Sequence, residues 1–129
     1  MSRSTGLFRR SNRLLLSRDF QRVARRGIRV AFGDFVMLVA PARGSPGEDG
    51  PIRRLGVTAS RKVGPAVCRN RLKRAIREWF RYSRGKFEAD VDVVVIARPG
   101  AGELGKSQLR DQLSELQRRL ERKLGDGDV

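Results

Sequence analysis

No part of this chain is more constrained than the stretch opened by Gly64-Pro65, which runs to Tyr82 without another glycine or proline. The glycine-proline step ends the run before it, and proline suits the first turn of a helix, where its missing N–H leaves no bond unmade. At about 100° per residue, Cys68, Leu72, Ala75, Ile76, Trp79 and Phe80 gather on one side of the predicted helix. Arg69, Lys73, Arg77 and Arg81 form a second line at four-residue spacing, Arg74 borders it, and Arg71 lies further round the exposed surface. Only Glu78 is acidic here. Solvated helix faces usually mix signs, whereas like charges at this spacing destabilise an isolated helix by about 0.2–0.5 kcal/mol per pair. The helix therefore needs a core on one flank; the other is either a solvated charged face or, as the like-charge penalty favours, a surface for nucleic acid. Arginine's planar fork can grip a phosphate with two hydrogen bonds, and Asn70 adds a donor and an acceptor for ribose or base edges.

The remaining elements supply that core. Ser17 can cap a short helix through Arg26, stopped by Gly27, with Phe20, Val23 and Ala24 on one face. Phe35-Val36-Met37-Leu38-Val39 is predicted as a strand from its continuous apolar character, and Pro41 through Pro51 as a surface loop. Leu55, Val57 and Ala59 alternate with Gly56, Thr58 and Ser60, the pattern of a half-buried strand. Val91 to Ala97 is a second apolar strand, stopped by Pro99-Gly100. Leu109, Leu113, Leu116, Leu120 and Leu124 recur at helical steps, giving an amphipathic helix ended by Gly125. That leucine stripe is either core or a partner-helix surface, core being the plainer reading. The order helix, strands, helix, strand, helix gives an α+β or α/β sandwich with one small sheet. The expected organisation is a basic arm over 1–16, one domain over 17–125, which the resemblance described below makes an RNA-binding α+β domain, and a tail over 126–129.

The formal net charge is +15, and so unbalanced a domain attracts polyanions, either nucleic acid or an acidic membrane surface. From Gly102 onward the acids Glu103, Asp111, Glu115, Glu121, Asp126 and Asp128 cancel the bases Lys106, Arg110, Arg118, Arg119, Arg122 and Lys123. The excess therefore lies between Met1 and Ala101. No apolar run approaches the roughly 18 residues that would span a bilayer, and the start has no signal-peptide core, so no membrane is expected. The single cysteine, Cys68, allows no intramolecular disulfide, which fits a cytoplasmic location. Histidine is absent, Cys68 lies on the apolar side of its helix, and neither a Gly-rich phosphate loop nor zinc-ligand spacing occurs. An independent nuclease is not the expectation.

Arg69-Asn70-Arg71-Leu72-Lys73-Arg74, preceded by Leu55-Gly56-Val57-Thr58-Ala59-Ser60-Arg61-Lys62-Val63-Gly64, resembles the signature of the bacterial ribonuclease P protein subunit. The resemblance extends to Arg18-Asp19-Phe20-Gln21-Arg22-Val23 with Gly27 upstream and to Asp92-Val93-Val94-Val95-Ile96-Ala97-Arg98-Pro99-Gly100 downstream. It implies an α+β fold in which the helix links two parallel strands by a left-handed crossover, a hand rare among such connections. It also implies that a catalytic RNA with bound magnesium cleaves precursor tRNA at its 5′ end, while a protein monomer, itself non-catalytic, holds that RNA and the 5′ leader. Asn70, Arg71 and Arg74, with Arg61 and Lys62, would face the catalytic RNA. Phe20, Arg69, Lys73 and Arg77 would border a cleft for the leader, where bases stack and phosphates are neutralised.

Alternatives remain at several positions. Phe20, Phe32 and Phe35 suit core packing as well as stacking. Family members often carry aromatics where this chain has Ala24 and Leu38, so stacking is expected to be thinner here; Pro65 stands where many relatives have Asn. Glu88, Asp90 and Asp92 form the only acid cluster; they could hold magnesium, alone or with RNA, but solvated strand-entry charges are the plainer expectation. The rival function is a basic ribosomal or RNA-chaperone protein with no link to a reaction.

Overall fold

The computed structural model describes residues 13, 17–43, 52–87 and 90–127. Helix α1 (Ser17–Arg26) leads into strand β1 (Ile28–Phe32), which turns at Gly33-Asp34 into β2 (Phe35–Pro41). Strand β3 (Arg53–Ala59), helix α2 (Ala66–Ser83), strand β4 (Val91–Ala97) and helix α3 (Lys106–Gly127) follow. Short 3-10 turns occupy Arg61–Val63, Arg84–Lys86 and Pro99–Glu103. The strands form one sheet in the order β1-β2-β4-β3, with β3 and β4 parallel and the other pairs antiparallel. β3, α2 and β4 are thus the expected βαβ unit, and the fold is α+β around a mixed sheet.

Strand alternation gives the sheet two faces with different cover. Val30, Met37, Val95 and Val57 are neighbours across the register and share one face. Against it pack Leu72, Ile76, Trp79 and Phe80 of α2 and Leu109, Leu113, Leu116 and Leu120 of α3. The leucine stripe is core, and Phe35 is buried with it. Trp79 Nε1 donates to Ser114 Oγ at 3.3 Å, tying the two helices together. The other face carries Val36, Leu38, Ala40 and Val94 beneath Val23 of α1.

Several expectations change. β1 was not among the predicted strands. α3 runs to Gly127 rather than stopping at Gly125, so Asp126 is helical rather than tail. Pro41 belongs to β2, and residues 44–51 of the expected loop lie outside the described residues, as does all of the predicted arm except Arg13, which bridges to Leu55 of β3.

Candidate nucleic-acid interface

Because β3 and β4 are parallel and in register from Arg53↔Val91 to Ala59↔Ala97, both release their chains at the same end of the sheet. The two turns that follow are locked together there. A Cβ on Gly102 would collide with the Val63 carbonyl oxygen, so the turn after β4 lies directly against the turn after β3. Gly64 has φ 151°, a conformation L side chains rarely adopt. Cys68 Sγ lies 3.6 Å from the Gly102 carbonyl, and Arg71 Nη2 donates to the same oxygen at 2.9 Å. Ser60 Oγ accepts from Lys62 N at 3.3 Å, capping the turn that presents Arg61 and Lys62.

From this corner α2 starts at Ala66, with no acidic residue in its first turn and no side-chain cap from Pro65. Its leading N–H groups add partial positive charge to the cations around them. Asn70, Arg71 and Arg74 are exposed, as are Arg61 and Lys62; Arg61, Lys62, Asn70 and Arg71 lie near the corner, and Arg74 follows about one turn further along α2. Val67 is 81% exposed and falls on the same helical stripe, three, four and seven residues before Asn70, Arg71 and Arg74. An apolar residue so displayed was visible on the helical wheel as a break in the polar stripe.

Arg69, Lys73 and Arg77 are only half-exposed and lie along the neighbouring side of α2. Arg69 Nε donates to the Gly64 carbonyl at 3.2 Å. Burial, and then the nearby charge of Arg13, depress the pKa of Arg77. Since Arg13 bridges Leu55, this basic line runs beside the sheet edge at β3.

Phe20 is not beside that line. It is half-buried on α1, packed against the sheet face opposite α2, and a ligand touching both would have to pass round the β3 edge. Ala24 is exposed and Leu38 buried on that same side. Phe32 is half-buried, with the Arg119 guanidinium 4.6 Å above its ring.

Within the acid cluster Asp92 departs from expectation, whereas Asp90 is exposed. Asp92 is fully buried rather than solvated. Its Oδ1 accepts from Arg54 Nε at 2.7 Å, and its Oδ2 accepts from Arg54 Nη2 at 3.0 Å and from Arg22 Nη2. Asp90 accepts from Ile52 N at 2.9 Å, and Glu88 lies outside the described residues. With its oxygens held by two guanidinium groups, Asp92 does not fit a magnesium site.

The sequence model of the Ribonuclease P family matches residues 8–121. The chain belongs to the ribonuclease P protein family. It is 39% identical to the ribonuclease P protein component of Syntrophobacter fumaroxidans, over 86% of this chain and 89% of the relative. With that of Pseudomonas aeruginosa it shares 44% identity, over 88% and 80%. The structure of the Staphylococcus aureus RNase P protein superposes with a TM-score of 0.72 at 32% identity, covering 86% of this chain and 96% of that one. For the RNase P protein from Thermotoga maritima the TM-score is 0.67 at 32% identity, over 82% and 96%. No helix among the described residues is long and apolar enough to cross a membrane.

Proposed function

We propose that this chain is the protein component of ribonuclease P, acting in the cytoplasm as a monomer bound to the catalytic RNA and promoting removal of the 5′ leader from precursor tRNA. The observation that carries the reading is the corner where parallel β3 and β4 end. There Arg61, Lys62, Asn70 and Arg71 stand exposed on a backbone fixed by Gly64 and Gly102, with Arg74 exposed about a turn further along α2. A rigid display of guanidinium and ammonium groups around an uncapped helix start suits a folded RNA backbone, because it holds phosphates without reading base identity. Arg69, Lys73 and Arg77 take the leader along the β3 side, and Phe20 takes it on the face beyond that edge.

The chemistry belongs to the RNA, whose bound magnesium supplies the hydrolytic step. The chain has no histidine, and Asp92 is committed to arginines. The protein's work is to bind, orient and neutralise charge. Reconstitution tests this: with a bacterial ribonuclease P RNA at low magnesium, the protein should restore precursor cleavage that the RNA alone performs poorly. Cleavage by RNA-free protein that survives repurification would overturn the reading, as would failure to stimulate the RNA.

A further inference from the structure

α1 has ten residues, fewer than the roughly 12–15 at which even a favourable isolated helix becomes marginal in water. It is therefore helical because it is docked. Its apolar footing is narrow, with Val23 buried and Phe20 half-buried on a sheet face of small and medium side chains, Val36, Leu38, Ala40 and Val94 with Ala31 and Ile96 beside them. Arg22 supplies the polar footing. Its Nη1 donates to the Pro41 carbonyl at 2.7 Å, and its Nη2 donates to Asp92 of β4 and, at 3.4 Å, to Asp19 one turn back. Arg54 of β3 grips the same Asp92 carboxylate from the other side.

One fully buried carboxylate thus joins α1, β3 and β4 on the face where Phe20 rests. Taking charges out of water is expensive, and well-packed apolar residues often serve stability as well or better. What the ionic clamp supplies that apolar packing does not is a fixed direction and register for the helix it holds. α2 and α3 pack on the opposite face and need nothing from α1.

We propose that Asp92 and Arg22 are positioning residues for leader recognition, holding α1 so that Phe20 stands at a fixed place on the leader side of the sheet. The inference rests on the reading that Phe20 borders the leader. It predicts that the two functions respond differently: releasing α1 weakens leader recognition and leaves assembly with the catalytic RNA untouched.

Arg22→Met is the primary test, because Asp92 keeps Arg54; the variant also takes from buried Asp19 its 3.4 Å contact with Arg22, so its unfolding midpoint is read alongside. Three quantities are read on the full chain: affinity for the catalytic RNA, preference of the assembled enzyme for precursor over mature tRNA, and amide exchange in α1. The expected result is unchanged affinity for the catalytic RNA, a precursor preference reduced about fivefold or more, and exchange faster in α1 but not in α2 or β4. Arg22→Met also removes a cation that a leader phosphate could touch directly, so Asp92→Asn is the control. It loosens the clamp, leaves both arginines charged, and alters a group too buried to meet RNA. Loss of precursor preference in both variants supports the clamp. Loss in Arg22→Met alone, with α1 exchange unchanged, means a direct phosphate contact and overturns it, as does preference retained while α1 exchange accelerates. Should Asp92→Asn not fold, the exchange and preference data of Arg22→Met decide by the same criteria. A wild-type complex that binds both tRNAs equally would overturn the leader reading itself, a result distinct from failure of the clamp.

Discussion

At Gly102 a methyl group would have to share space with the Val63 carbonyl oxygen, a backbone atom that cannot swing aside. Gly102→Ala should therefore destabilise the fold by about 1–3 kcal/mol, the usual cost of overpacking, read as a lower urea midpoint. Catalytic-RNA affinity should fall with it, because Arg61 and Lys62 are carried by the turn that must move. Asp92→Ala should cost more, about 3–5 kcal/mol, since it strips two arginines of a buried partner. An unfolding midpoint within error of wild type would show that water, not Asp92, satisfies them. This residue also marks where sequence reading fails. Its partners Arg22 and Arg54 stand 70 and 38 positions away, and an aspartate at a strand entry looks the same whether solvated or clamped. Arg71 and Arg74 were legible as exposed because helical geometry alone sets their direction. Phe20 was not, because periodicity names the buried side of a helix without saying which sheet face receives it.

Among elements, α2 was readable almost to the residue, since a glycine-proline start and two interleaved periodicities fix both its ends and its faces. β1 was not. Its five residues become a strand by pairing with β2, and Arg29 interrupts their apolar character. Gly33-Asp34 between two apolar runs was the local hairpin signal that could have found it. On α2 the two basic sides can be tested separately. Arg71→Ala with Arg74→Ala should weaken assembly with the catalytic RNA whatever the substrate. Lys73→Ala with Arg77→Ala should weaken binding of precursor relative to mature tRNA while sparing assembly. Arg69 is left out of this pair because its bond to the Gly64 carbonyl also supports the corner, and since Arg71 likewise bonds the Gly102 carbonyl, its variant is read only with an unfolding midpoint equal to wild type. Titration of catalytic RNA, and of tRNAs with and without a leader, checks both; equal damage to both steps in both variants would mean one undivided electrostatic patch.

For the molecule as a whole, a net charge of +15 predicts RNA affinity that falls steeply with salt, with a slope of about −0.7 to −0.9 per neutralised phosphate. Arg77→Ala should flatten that slope by about one unit, and an unchanged slope would return Arg77 to the status of solvated charge. The absence of histidine predicts an affinity nearly flat between about pH 5.5 and pH 7, because no side chain ordinarily titrates there; a titration in that range would expose a strongly displaced group. The sheet order has a practical consequence too. α3 lies toward β1, where Lys123 Nζ donates to the Arg29 carbonyl at 2.9 Å, whereas the basic line of α2 runs by β3, three strand spacings or about 14 Å across the sheet. A fluorophore at exposed Arg122 would therefore stand on the far margin from the RNA, tumbling more slowly as the particle assembles without obstructing it. That margin is the natural place for a reporter, a tether or a surface attachment in single-particle work.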